Sequence, residues 1–352
     1  MRTQMEGSTA ASQKGLTLIE LLIALVLGMV VSAAIFTVFV SSSRSTREDE
    51  QFRLVLESGR YAMNVLRDEL RMVAFWGTLA SPADVTTALA VASGSCAEAV
   101  GLFNPEPALL FNNGHTTGAA QQFSPCSAMS SDQLSNTDIL IIKRVEGTPA
   151  ARTITDRADL DGDGDTAETL QIGHDSLQVG VVYLSGTGTG GRFISDASAG
   201  NPPALGESDW RLASRAYFIR DHFRQAGDGI PSLCRLSVVG VGLGNAETNT
   251  QDQAECFVPG IEDLHVEFGL DTDNNGIADQ YTATPSAADM ERAVSAHIYV
   301  LARARTSIAG YQNAKSYQLG STTRGPFNDG FYRSLFTTTV ALRNPINLAR
   351  FR

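Results

Sequence analysis

The feature that most constrains this chain is an apolar segment near its start, from Leu16 to Val40. As a helix, these 25 residues would extend about 37 Å, which is enough to cross a hydrocarbon core of about 30 Å with some tilt. One acidic residue, Glu20, lies within the segment. Because an unpaired carboxylate in lipid costs at least roughly 2–3 kcal/mol, the sequence predicts a membrane-spanning helix in which Glu20 has a cationic partner.

Two ordinary interpretations of such a segment are a cleaved secretory signal and a plain single-pass anchor. The apolar part is too long for a secretory signal, and no A-x-A-like cleavage site follows it. A plain anchor would place Glu20 near the membrane interface, but it gives no reason for the Lys14-Gly15 step that precedes the helix. The boundary before the helix favours a short basic leader, residues 1–15, on the cytoplasmic side.

The residues Gln13-Lys14-Gly15, followed by Leu16-Thr17-Leu18-Ile19-Glu20, resemble the processing motif of type IV prepilins. In that family an inner-membrane prepilin peptidase cuts after the glycine, here Gly15, and methylates the new N-terminus, here Leu16. The resemblance implies that Glu20 pairs, within lipid, with the N-terminal ammonium of a neighbouring subunit. Leu16 stands where phenylalanine is commoner, and it keeps the apolar character that the position needs.

The apolar pattern changes after Val40, where Ser41-Ser42-Ser43-Arg44 forms a polar break. Apolar or small residues then recur at three and four residues, so they share one helical face. We therefore expect a membrane helix over 16–40, an amphipathic continuation over 41–76 that is helical to about Phe75 with Gly77 as a stop, and a head over 77–352. The residues on the shared face are Phe52, Val55, Leu56, Gly59, Met63, Leu66, Leu70 and Val73.

The sequence of the head predicts short strands, often with alternating apolar and polar residues, and little helix. The hydrophobic content of 43% supports a packed core. The predicted fold class is α+β, with an antiparallel sheet packed on the N-terminal helix. The strands of the final third include Gly260-Ile261-Glu262-Asp263-Leu264 and end with Thr339-Val340-Ala341-Leu342-Arg343-Asn344. They resemble the PilW family of minor pilins. Strands are predicted over 138–145, 177–184, 214–220, 234–241, 264–270, 294–302 and 336–342.

Four cysteines in an exported head indicate a disulfide framework with three possible connectivities. We favour Cys96–Cys126 and Cys234–Cys256, in which each bond links cysteines close in sequence. The alternative is free, buried thiols.

Two acidic loops have oxygen ligands at spacings that suit Ca²⁺. The first offers Asp271, Asp273, Asn275 and Asp279, but it has Thr282 where an EF-hand has its last acid. The second places carboxylates at alternate positions, Asp159, Asp161, Asp163 and Asp165, with Glu168 nearby. For both loops the alternative is a solvated turn rich in Asp and Asn.

The remaining patterns favour a structural protein rather than an enzyme. The net charge of −11 argues against nucleic-acid binding. The glycine-rich runs at 186–191 and 239–244 lack the flanking helix of a nucleotide site, and the five histidines show no metal-ligand spacing. His265 and His297 lie in strand patterns, as core or sheet-face residues do.

The resemblance implies a subunit that is held in the inner membrane with its head in the periplasm and is then built into a pilus. The partners it implies are the prepilin peptidase, the major pilin and other minor pilins of a priming or tip complex, together with a large tip adhesin. Two alternatives remain open, a type II secretion pseudopilin and a membrane-anchored, metal-dependent periplasmic enzyme.

Overall fold

The computed structural model describes residues 17–79, 84–86, 101, 104–115, 133–150, 153–155, 171–173, 181–194, 207–237 and 254–344. The chain divides into two units, Met1–Glu50 and Gln51–Arg352. The helices are α1 (Leu18–Arg71) and α2 (Ala287–Met290). The strands are β1 (Val85–Thr86), β2 (Leu109–His115), β3 (Thr137–Ile142), β4 (Thr153–Thr155), β5 (Gln171–Gly173), β6 (Tyr183–Thr187), β7 (Gly190–Ile194), β8 (Ser208–Arg211), β9 (Arg215–Arg220), β10 (Ser232–Ser237), β11 (Glu255–Pro259), β12 (Ile261–Leu270), β13 (Gln280–Thr282), β14 (Ala293–Arg303), β15 (Tyr317–Leu319), β16 (Thr322–Arg324) and β17 (Arg333–Ala341).

In the first unit, α1 carries the apolar segment. Among the described residues, α1 is the helix that is long and apolar enough to cross a membrane. None of the side chains in its most apolar window is buried by the protein. The predicted apolar helix is therefore present, with large aliphatic and aromatic side chains exposed along it.

In the second unit, residues of α1 bury one face in the head. Val55, Leu66 and Leu70 are fully buried, as the predicted amphipathic pattern requires. Phe52, on the same predicted face, is 41% exposed. Its ring packs edge-on against Tyr332, with the ring centroids 5.2 Å apart.

The helix ends four residues earlier than expected, at Arg71 rather than near Phe75. A turn follows in which Ala74 has a left-handed φ of 59°. The N–H of Ala74 donates to the carbonyl of Lys143, so a contact with the head draws the backbone out of the helix. Gly77, the expected stop, lies beyond this turn with a φ of 67°.

A five-stranded antiparallel sheet of order β11-β10-β9-β3-β2 forms the middle of the head. Every residue of β3 is buried. Leu140 and Ile142 belong to one hydrophobic cluster, whereas Ile139 and Ile141 belong to another. This sheet is therefore covered on both faces at β3, where residues 139–142 form a continuous apolar run.

A second antiparallel sheet of order β13-β12-β14-β17 shares a core with α1. Leu264, Val266 and Phe268 alternate along β12 and join the cluster that holds Leu66. The ring of Phe336 on β17 lies where a Cβ on Gly59 would be, so a helix residue larger than glycine would clash there. The α+β prediction, with an antiparallel head packed on the helix, is confirmed.

The remaining described strands form a sheet of order β1-β7-β6-β8 and the pairs β15-β16 and β4-β5. The β1–β7 pairing is parallel, in contrast to the predicted antiparallel pattern. The predicted strand over 177–184 begins in the structure only at Tyr183, and its first residues lie outside the described ranges. The strand predicted at 234–241 begins two residues earlier, at Ser232, and residues 238–241 lie outside the described ranges.

Candidate functional site

The first turn of α1 positions Glu20 through a reciprocal capping arrangement. The Thr17 backbone N–H and hydroxyl both donate to Glu20 Oε2, each at 2.9 Å. In return, the Glu20 backbone N–H donates to the Thr17 hydroxyl at 3.3 Å. This capping box satisfies donors that a helix N-terminus leaves unpaired, and it fixes the carboxylate beside the start of the helix.

The spacing Thr17-x-x-Glu20 is the sequence signature of a capping box. The sequence analysis assigned Glu20 a partner in a neighbouring subunit and did not predict this local contact. The processing residues Lys14, Gly15 and Leu16 lie outside the described residues. Thr17 and Glu20 both follow the predicted cut after Gly15, so the chain keeps both partners if it is cleaved there.

The loop after β12 brings together three of the four predicted calcium ligands. Carboxylate oxygens of Asp271, Asp273 and Asp279 lie within 4.8 Å of one another. Asp271 is fully buried, whereas the other two acids are exposed. Carboxylate oxygens are the ligand type that Ca²⁺ takes, and these three lie close together, so the residues fit the ion.

Backbone N–H groups of the same loop also bind these carboxylates. Asp271 accepts from Asn275 and Gly276, at 3.1 Å and 2.6 Å. Asp279 accepts from the backbone N–H and the hydroxyl of Thr272, each at 2.7 Å, and these bonds hold the pKa of Asp279 below its usual range. The side-chain oxygen of Asn275, the fourth predicted ligand, accepts from the Ile277 N–H at 2.7 Å.

The other predicted sites divide between the described residues and those outside them. A disulfide joins Cys234 and Cys256, the pair favoured from the sequence. Cys96 and Cys126 lie outside the described residues, and so does the whole second acidic loop, Asp159, Asp161, Asp163 and Asp165. The pairing of the first two cysteines and metal binding by the second loop stay predictions.

The sequence interpretation missed a buried ion cluster that ties α1 to the head. Glu69, whose side chain is 9% exposed, accepts from Nε and Nη2 of Arg144, each at 3.0 Å. Nη1 of Arg215 on β9 also donates to Glu69. Burial, together with the charge of Glu69, raises the pKa of the neighbouring Tyr217 to about 12. Glu69 interrupts the apolar face of the helix, and this interruption was the sequence signal that could have predicted a buried ion pair.

Comparison with known protein families matches both ends of this architecture. Residues 10–36 match the model of the prokaryotic N-terminal methylation motif. Residues 216–344 match the model of the type IV pilus-assembly protein W. The chain is consistent with a PilW-family type IV pilin.

The PilW match spans β10 to β17 and most of β9, and thus includes the sheet that shares a core with α1. The methylation-motif match covers the end of the predicted leader, Glu20 and most of the apolar segment. Together they support a type IV pilus minor pilin that is anchored in a membrane. Pilin families are structural proteins. No curated protein and no solved structure matches the chain significantly.

Proposed function

We propose that this chain is a minor pilin that prepilin peptidase cuts after Gly15 and that is then assembled, with other minor pilins, into the priming or tip complex of a type IV pilus. The observation that carries the proposal is the methylation-motif match over residues 10–36. That match coincides with an apolar helix whose side chains the protein leaves exposed.

The apolar helix serves two environments in this proposal. Before assembly, lipid covers the exposed side chains and the head lies in the periplasm. During assembly, helices of the major pilin and of other minor pilins replace the lipid. Since lipid tails and packed helices are both apolar, the same exposed surface suits both states.

Glu20 sets the register of a subunit as it enters the fibre. Its carboxylate is held at the start of α1 by Thr17. The N-terminal ammonium of a neighbouring subunit supplies the cation that a carboxylate in a low-dielectric region requires. A misaligned subunit would leave both charges unpaired, and this penalty favours one position along the neighbouring helix.

The size of the head favours the tip of the fibre over a repeated position in the shaft. A bulky head would clash less at an end, where fewer neighbours surround a subunit. At the tip the head presents a large adhesin and has no catalytic role of its own.

Assembly of Glu20 variants tests the proposal. We expect Glu20→Ala to be cleaved normally but to be largely lost from sheared pili, as measured by quantitative immunoblotting of pilus and membrane fractions. Glu57→Ala is the matched control, because it makes the same change at an exposed position of the same helix. Normal incorporation of Glu20→Ala would contradict the pairing role.

We also propose that the loop containing Asp271, Asp273, Asn275 and Asp279 binds Ca²⁺. The close approach of three carboxylates supports the proposal, because a cation would relieve their mutual repulsion. We expect Ca²⁺ to raise the melting temperature of the wild-type chain, and Asp273→Asn to reduce that rise. Asp228→Asn, in another acidic turn, should keep it. An unchanged melting temperature on chelation would contradict calcium binding.

A further inference from the structure

A buried carboxylate joins the two main sheets of the head. Asp138 on β3 is 1% exposed. Its Oδ1 accepts from the Gly114 N–H at 2.8 Å, and its Oδ2 accepts from the Val266 N–H on β12 at 2.8 Å. Nδ1 of His265, also 1% exposed, lies 3.0 Å from the same Oδ2. Asp138 and His265 therefore form a direct polar contact between the five-stranded sheet and β12.

The opposite side of the His265 ring faces a second acid. Nε2 of His265 makes no hydrogen bond and lies 3.7 Å from Oε1 of Glu267. The same Oε1 accepts from the Ser321 N–H at 2.6 Å, in the turn between β15 and β16. The imidazole thus lies between a carboxylate of the five-stranded sheet and a carboxylate that holds the β15–β16 hairpin.

Charged and titratable side chains from four elements surround His265. β3 contributes Asp138, β12 contributes Asp263 and Glu267, and the hairpin contributes Arg324, which pairs with Asp263. From β14, the ring of Tyr299 lies 5.9 Å from His265. His297, also on β14, is partly exposed and stands opposite Glu267 in the strand register.

The balance of charge around His265 depends on whether its imidazole is protonated. With a neutral imidazole, three largely buried carboxylates surround the ring, and among the described residues around it Arg324 supplies a guanidinium to Asp263. A protonated imidazole adds a second cation, placed between two of the acids. Since buried like charges repel strongly and water screens them little, the protonated state should hold the elements together better.

We propose that His265 is a proton-dependent clamp between the two sheets of the head. When it is protonated, the ring donates to Asp138 from Nδ1 and presents Nε2–H to Glu267. Loss of the proton leaves at most one donor and an excess of negative charge, so the contacts of Asp138 with Gly114 and Val266 open more often. This device is independent of processing and assembly.

The ionisation of His265 agrees with the geometry. Burial acts to lower the pKa of His265, but the hydrogen bond and charge of Asp138, with Glu267 and Asp263, raise it above its ordinary value of 6.5. A raised pKa means that the folded state binds the proton more tightly than the unfolded chain. The stabilisation is therefore complete below about pH 6.5 and is lost as the pH rises through the higher folded pKa.

Hydrogen exchange on the full chain in detergent micelles tests the clamp. The readout is the protection of peptides that contain Gly114 and Val266, corrected for intrinsic exchange, at about pH 6 and about pH 8.5, values chosen to bracket a raised histidine pKa. We expect wild-type protection to fall on the order of tenfold for each unit by which the pKa is raised. Peptides from β10 serve as an internal reference, and they should change less.

Two variants separate the clamp from a general effect of pH. His265→Gln keeps a hydrogen-bond donor but cannot be protonated. Burial raises the pKa of the neighbouring Asp263 to about 6, so this acid also titrates near the lower pH. The protection of His265→Gln should therefore change much less between the two pH values than that of wild type. His297→Gln is the matched control, and it should behave as wild type does. Equal loss of protection in wild type and His265→Gln would overturn the clamp, and so would unchanged protection in wild type.

A measurement on the wild-type chain covers the case in which His265→Gln does not fold. The chain has five histidines, so selective ¹³C labelling gives a small set of imidazole signals that can be followed through a pH titration. We expect the signal of the buried ring to titrate above the ordinary histidine pKa of about 6.5. Titration at or below that value would overturn the proposal.

Discussion

Leu22 and Leu66 are the same residue type in the same helix, yet they have opposite environments. The Leu22 side chain is 53% exposed, whereas Leu66 is fully buried between α1 and the strands of the head. Leu22 belongs to a segment that is apolar on nearly every side, while Leu66 belongs to a face that repeats at three and four residues. The head thus covers the apolar residues of its own part of the helix, whereas those of the first unit stay exposed along α1.

The difference shows that the distribution of apolar residues around a helix indicates which environment surrounds it. A segment that is apolar on every side has one uniform apolar environment, whereas a one-sided pattern has a core on one face and water on the other. The two regions should therefore respond differently to the same mutation. The pair Leu66→Ala and Leu22→Ala tests that expectation directly. Two changes with smaller expected effects, at Glu69 and Asp228, test which polar contacts stabilise the second unit.

The largest expected effect is that of shortening a leucine in the head. Leu66→Ala should lower the free energy of unfolding by about 2–5 kcal/mol, because it removes buried apolar atoms and leaves a cavity. Denaturant unfolding of the full chain in detergent measures this change. Both tryptophans of the chain, Trp76 and Trp210, lie in the second unit and report its unfolding by fluorescence.

Leu22→Ala is the matched control for the cavity. It makes the same chemical change in the first unit, and it should leave the unfolding free energy of the head unchanged. A similar loss of unfolding free energy in both variants would contradict the difference between the two regions.

The next effect concerns the buried ion cluster. Glu69→Gln should lower the free energy of unfolding by about 2–3 kcal/mol, because Arg144 and Arg215 lose the charge that compensates them. The value lies below the usual range for a buried pair, since Arg215 is partly exposed. Glu57→Gln, at an exposed position of the same helix, should be neutral. Equal unfolding free energies for the two variants would show that the cluster does not stabilise the head.

The smallest effect is expected at an exposed acid on the surface of the head. Burial acts to raise the pKa of Asp228, but N–H donors from Arg224, Ile230, Phe223 and Gln225 lower it to about 2. The folded state therefore holds the ionised form, and its stabilising contribution is present above the ordinary pKa of 3.8 and lost as the pH falls toward 2.

Asp228→Asn removes this titration, so the variant should lose less stability than wild type between about pH 4 and pH 2. Thermal melting across that range provides the measurement. Parallel pH curves for the two proteins would mean that the hydrogen bonds do not favour the ionised acid.

Much of the fold was predictable because its signals are local. The apolar segment, the one-sided pattern up to Val73 and the alternation of β12 and β14 each appear within a short stretch of sequence. The end of α1 was wrong by four residues, since the turn at Ala74 depends on the carbonyl of Lys143 in the head. No glycine or proline marks that position.

The buried polar contacts were not predictable, because each joins residues that are distant in sequence. Glu69 meets Arg144 and Arg215 only when the helix packs on the head, and Asp138 meets His265 only when the sheets come together. The burial of both faces of β3 likewise depends on layers supplied by other parts of the chain. By contrast, the capping box of Thr17 and Glu20 is local and was readable from its spacing.

Mass spectrometry of the N-terminus tests the assignment as a processed pilin most directly. The protein is extracted from membranes of strains with and without the prepilin peptidase. We predict an N-terminal peptide that begins at methylated Leu16 in the first strain and the uncleaved leader in the second. A chain that begins at Met1 in both strains would contradict the assignment, and the exposed apolar helix would then be an ordinary membrane anchor.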